Sequence, residues 1–184
     1  MEFEGTPEEL DASDLARKLL STIGGTAGGG VDATPSARKW RLGDPVPGVE
    51  EEGQAELTGL LAQNPAAALF VEFLAEACSW ENVRAYGVKR QHLKPGEPLD
   101  YSDYLRLRKV GSQLGGFAYV RADLGRVNVR LSYGGPEEHL LKEAAPRAYA
   151  VHTGHRAYRV SINIEDDESL RQAIALARLA YDRT

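Results

Sequence analysis

Four histidines, His92, His139, His152 and His155, are the first residues to test for chemistry. Only His152-Thr153-Gly154-His155 brings two of them close in sequence, and Gly154 permits the tight turn that turns both imidazoles toward one metal ion. A metal held there could activate water for hydrolysis, which makes His152 and His155 candidate ligands of a metal-assisted hydrolase or nuclease. No second pair of cysteine or histidine accompanies them, so the ligand set is incomplete. Two-metal nuclease chemistry needs clustered carboxylates with a lysine at strand ends. Asp100, Asp103, Asp123 and Glu143 are available without an Asp/Glu-x-Lys arrangement, and turn and capping roles account for them. The glycine-rich run 24–30 lacks the Lys-Ser/Thr of a phosphate-binding loop and follows no apolar strand. Cys78, the single cysteine, sits among apolar residues and reads as packing; alone it excludes a disulfide framework and a multi-cysteine zinc site.

Arginine and tyrosine offer a different chemistry, the holding of an anion. The net charge of −5 hides a polarity. Residues 1–64 carry 12 acids and 5 bases, net −7, whereas residues 82–162 carry 7 acids and 14 bases, net +7. A basic middle suits an anionic partner, and an acidic head suits either shielding of that middle or contact with a protein partner. Alternation sorts the side chains of each strand onto two faces. Val127, Val129, Leu131 and Tyr133 oppose Arg126, Asn128, Arg130 and Ser132; Tyr158, Val160, Ile162 and Ile164 oppose Arg159, Ser161 and Asn163. With Leu105 and Leu107 inward, Tyr104, Arg106 and Arg108 face out. The candidate polyanion-binding set is Arg106, Arg108, Arg126, Arg130 and Arg159, because a solvated sheet face requires polar residues but not this excess of arginine over acid.

Gly116-Phe117-Ala118-Tyr119-Val120 matches the middle of an RNA-recognition-motif signature, in which two aromatics stack on bases. Gly115 replaces the leading basic residue, Ala122 the trailing aromatic, and a hairpin strand follows where that fold needs a helix, so the fold is excluded while the stacking chemistry stays open. Phe117, Tyr119 and Arg121 share one face by alternation. On the open face Phe117 and Tyr119 join Tyr104 as stacking residues; on the inner face they are core, which large aromatics favour.

The elements that must position these residues follow from periodicity. Thr6-Pro7-Glu8-Glu9 has capping-box spacing and begins a helix with an apolar stripe at Leu15, Leu19, Leu20 and Ile23. Residues 24–53, rich in Gly, Pro and Glu, read as a linker dispensable for folding, with Trp40 as the anchor if it packs at all. A short helical stretch at 57–62 precedes a core helix introduced by Asn64-Pro65 and carrying Leu69, Phe70, Phe73, Leu74 and Ala77 on one broad face. Strands are expected at 83–90, 103–110, 116–121, 126–133 and 157–164, with residues 122–125 closing a hairpin. A connection from 134 to 156 has a helical middle at 136–145, and Asp166 or Asp167 caps a last helix lined by Leu170, Ala173, Ile174, Ala177 and Tyr181.

The order Tyr104-Leu105-Arg106-Leu107, Gly116 to Val120, Arg126 to Leu131, His152-Thr153-Gly154-His155, Tyr158 to Ile162 and a closing Leu179-Ala180-Tyr181-Asp182 resembles domain-of-unknown-function family 5655 over residues 66–184. The resemblance implies a small curved antiparallel sheet backed by a helix, placed at the ends of nuclease-like and genome-defence proteins. It implies no catalytic residues.

These readings predict an α+β fold with a single antiparallel sheet of about five strands and two main helices on one face, comprising residues 64–184 behind an acidic head and linker at 1–63. The expected function is a non-catalytic module holding nucleic acid or another polyanion, without a cofactor. A hydrolase using the His152/His155 turn and a protein-interaction subunit using the acidic segment are the alternatives. The acidic N-terminus, the lone cysteine and the lack of a long apolar run place the chain in the cytoplasm with no membrane partner.

Overall fold

A computed structural model describes residues 40–88, 96–113, 115–123, 125–133, 145–152 and 157–184. The expected helix at 7–23 and all but the last residue of that expected at 136–145 lie outside these residues, as do His92, His139 and His155. The described chain forms helices α1 (Glu51–Leu61) and α2 (Ala67–Ser79), strands β1 (Val83–Tyr86), β2 (Leu105–Lys109), β3 (Ala118–Asp123), β4 (Arg126–Leu131), β5 (Ala148–Ala150) and β6 (Val160–Ile164), and helix α3 (Asp167–Asp182). The strands make one sheet in the order β1-β2-β3-β4-β6-β5, with every neighbouring pair antiparallel. The fold is α+β, as expected, with six strands instead of about five. The additional strand is β5, whose three residues, Ala-Tyr-Ala, are too few and too weakly strand-forming to show a period.

One face of the sheet is covered by α2 and α3. Its centre is a row of partners running across five strands, Leu105, Val120, Val129, Ile162 and Ala148, all buried. Phe70, Phe73, Leu74 and Ala77 of α2 and Leu170, Ala173, Leu176 and Ala177 of α3 close the core over that row. Burial of this kind contributes about 25 cal/mol per Å² of apolar surface, the main favourable term in a domain of this size.

Local chemistry sets the ends of the helices. Asp166 caps α3 through a reciprocal pair of bonds: Ser169 N donates to its carboxylate at 2.9 Å while Asp166 N donates to Ser169 Oγ at 3.0 Å. These contacts, with Arg147 Nη1 donating at 2.6 Å, hold the Asp166 carboxyl down at about 2. Helix α2 starts at Ala67 instead of Pro65, because Asn64 turns the chain by accepting Ala66 N on its side chain and Ala67 N on its carbonyl.

The boundary expected at residue 64 moves toward the N-terminus. Val46, Leu57 and Leu61 belong to the same core as the sheet, and Trp40 packs against it. The Glu50-Glu51-Glu52 run, expected as solvated loop, instead opens α1, where acids complement the positive end of the helix. Gln54 of α1 holds the preceding segment in place: its Oε1 accepts from Val46 N at 2.8 Å, and its Nε2 donates to Val46 O at 3.0 Å and Val49 O at 2.8 Å. Glu52 accepts from Tyr101 OH and Glu56 from Tyr101 N, tying α1 to the far end of the β1–β2 connection. Residues 40–53 are therefore structural, and the expectation that 24–53 can be removed does not hold for them. Five of the 12 acids counted before residue 65, namely Asp44, Glu50, Glu51, Glu52 and Glu56, lie on this body and not on a detached head.

Two outcomes test this account. Gln54→Ala leaves Val46 N and two carbonyls without their partner, and urea unfolding should show a loss of about 1–3 kcal/mol. Asp166→Ala should lower the thermal midpoint at neutral pH. Because the folded pKa lies below its ordinary 3.8, the advantage of the native residue should be complete above that value and vanish as pH falls to about 2.

Candidate anion-binding face

The face opposite the helices carries a second row of partners, displaced by one residue from the buried one. It reads Tyr86, Arg106, Tyr119, Arg130, Ser161 and Tyr149 across all six strands. Arginine and tyrosine thus alternate over the first four positions, and Arg106 and Arg130 stand on either side of Tyr119. With strands about 4.8 Å apart, the two guanidinium stems rise about 10 Å from each other. The Nε atoms of Arg106, Arg108 and Arg130 are buried and make no hydrogen bond among the described residues. Arg84 lies directly opposite Arg108, an arrangement of like charges that costs stability unless an anion relieves it.

At the centre of this face is a cavity of about 430 Å³ lined by Tyr104, Gly115, Gly116, Tyr119, Arg130, Ser132, Ala157 and Tyr158. Tyr119 meets Tyr158 edge to face at 4.9 Å and Tyr104 at 6.4 Å. Tyr158 OH donates to Gly116 O at 2.6 Å, which fixes one wall. Gly116 also admits the stem of Arg106: a Cβ there would stand 2.8 Å from Arg106 Cγ and 3.0 Å from Leu107 O. Arg121 and Arg130 lie over the Tyr104 ring at 5.7 and 5.9 Å. Beside the cavity a polar network centres on Asn128, whose Nδ2 lies 2.9 Å from Tyr149 OH and Asn163 Oδ1 and 3.1 Å from Ser161 Oγ.

The candidates from the sequence separate on this frame. Arg106 and Arg130 flank Tyr119, and Tyr104 joins them at the cavity. Arg108 is on the same face but donates through Nη2 to Ser112 O at 3.2 Å. Arg126 is exposed at the start of β4, about 13 Å along the strand from Arg130, and Arg159 donates to Val151 O at 3.2 Å at the sheet's end. Phe117 requires correction as a stacking residue. It precedes β3, escapes the strand's alternation, and is fully buried against Trp80 and Tyr181 at 6.0 and 5.7 Å. Tyr158 is the converse: alternation put it inward, but β6 begins only at Val160, and Tyr158 lines the open cavity. No periodic signal marks either residue, since both lie just outside a strand.

Among the described residues the cavity offers cations and flat rings but no activated nucleophile. Burial, the neighbouring Tyr119 ring and its hydroxyl push the Tyr158 phenol up to about 12, so it stays protonated at neutral pH. Cys78, packed where Gly48 gives it room, is likewise raised to about 11 by burial. His152 is exposed, and among the described residues no three of His, Cys, Asp and Glu stand together as a metal site. No helix among them is long and apolar enough to cross a membrane. Comparison with known proteins finds no matching family model, curated protein or solved structure. What this face binds is therefore read from its geometry.

Tyr158→Phe keeps the ring and removes the bond to Gly116, and should cost about 0.5–1.5 kcal/mol at neutral pH. A phenol raised from its ordinary 10.0 to about 12 stabilises the fold below pH 10 and loses that effect as pH climbs toward 12. The stability gap between native protein and variant, followed by chemical unfolding, should accordingly be flat up to pH 10 and narrow above it.

Proposed function

We propose that this protein is a non-catalytic binding module that holds nucleic acid or another polyanion on the open face of its sheet. The observation that carries the reading is the Tyr86–Arg106–Tyr119–Arg130 row, in which two guanidinium groups, their buried Nε atoms unpartnered among the described residues, alternate with aromatic rings. Guanidinium matches phosphate oxygens in pairs, and a desolvated donor without a partner is stabilised when such an anion arrives. The carboxylates reinforce this. Among the described residues the helix layer carries Glu72 and Glu76 on α2 and Asp167, Glu168 and Asp182 on α3 against Arg171 and Arg178, which pair with Glu168 and Asp182, so it is acidic where the open face of the sheet is rich in arginine. Such a polarity orients an approaching polyanion toward the sheet.

Arg106 and Arg130 would then act through phosphates, which position a strand without reading its sequence. Replacing both by alanine should weaken binding of unrelated oligonucleotides alike, and the slope of log affinity against log salt should fall by about 0.7 to 0.9 for each phosphate no longer neutralised. Fluorescence anisotropy over a series of salt concentrations measures both. Absence of salt-dependent binding by the native chain would remove this reading in favour of a protein partner.

A further inference from the structure

A flat cationic face would suffice for a polyanion, yet this face is not flat. The 430 Å³ cavity lies within the size range of small-molecule sites, larger than a bare phosphate needs and too narrow for a duplex to enter. Its walls are chiefly tyrosine rings, and among the described residues none of the ring contacts there is a face-to-face stack: Tyr119 meets both Tyr104 and Tyr158 at more than 80°. No two of these rings are stacked in parallel, so the space between the tyrosine walls is open to a planar group. The cations are set at the edge of the same space. Arg130 lines it, and Arg106 crosses Gly116, a lining residue whose missing side chain leaves room for that stem.

A ligand that satisfies both features has a flat aromatic part joined to an anion about one strand spacing away. Resting on the proposed polyanion reading, we infer that the cavity takes one unstacked nucleotide of a single-stranded nucleic acid, its base against Tyr119 and Tyr158, its phosphate on Arg130 and the neighbouring phosphate of the strand on Arg106. In a duplex the base faces are covered by their neighbours, so this site selects single strands. Selectivity comes from stacking, which every base offers, and not from hydrogen bonds to base edges, so sequence preference is slight. A free mononucleotide shares this chemistry and is the other source of such a ligand.

The test uses the full chain with four probes: a labelled twelve-residue thymidine strand, the same length with abasic sites throughout, a duplex of equal length, and thymidine monophosphate. The single strand should bind about 10-fold more tightly than the abasic strand of equal charge, the loss expected from removing base stacking. It should also bind more tightly than the duplex, and Tyr119→Ala should erase the preference for bases while leaving the abasic strand unaffected. Comparison of the native protein with and without bases on the ligand decides the matter even if that variant fails to fold. Equal, salt-dependent affinity for the thymidine and abasic strands overturns the cavity inference and leaves the polyanion reading standing. Saturable binding of the monophosphate without binding of any strand supports the cavity's chemistry and overturns the strand as its source. No binding of any probe removes both.

Discussion

Antiparallel register is the constraint on which the rest of this structure depends. Because side chains alternate along every strand, placing Leu105, Val120, Val129, Ile162 and Ala148 in one buried row leaves no choice about the row beside it. Arg106, Tyr119, Arg130 and Ser161 are then brought side by side on the other face, although up to 55 residues separate them in the chain. A slip of one residue in β1, β2, β3 or β4 would bury an arginine and expose the core. The same hydrophobic force that stabilises the domain thus holds the cationic row in line.

The helix layer contributes to that row from a distance. Trp80 and Tyr181 pack at 5.5 Å, and Phe117 touches both, so the start of β3 is anchored from beneath. Lys109 and Arg178 cover the Tyr181 ring at 4.5 and 5.0 Å, which keeps these two cations off the open face. The cations left over the cavity are those of β2, β3 and β4. Of these, Arg121 is matched by Asp103 at 3.3 Å, and that ion pair is half exposed and contributes little to stability. Among the described residues no such carboxylate pairs with Arg106 or Arg130, and the polarity between the two layers of the molecule is uncompensated at that point.

How much of this could be read from residues alone depends on whether a residue lies inside a periodic element. In β4 and β6 the alternation of Val, Leu and Ile with Arg, Asn and Ser is regular, and the faces of Asn128, Arg130, Ser161 and Asn163 follow from it. The capping of α3 is equally plain, since Asp166 and Ser169 are three residues apart at the head of an apolar stripe. Segment 40–53 is opaque for the opposite reason. Its composition is that of a linker, and its order comes from the tertiary bonds of Gln54 and the burial of Val46, neither of which leaves a mark on local sequence. Strand β5 is too short to show a period, and its pairing is imposed by β6.

The candidate site concentrates where periodicity stops. Phe117 lies one residue before β3 and Tyr158 two residues before β6; the first turns inward and the second outward, each against the alternation of the strand it precedes. The two departures meet at Gly116. Gly116 has no side chain, so Arg106 can lie across it, and its carbonyl is left facing the cavity to accept the Tyr158 hydroxyl. Had the strands continued regularly through 116–117 and 157–159, Phe117 would stand on the open face and Tyr158 under the helices, and the sheet would present a ridge in place of a pocket. A local departure from the rule that builds the sheet is thus what converts a row of arginines into a concave site, and such departures are where binding sites are to be expected in a fold whose other levels agree.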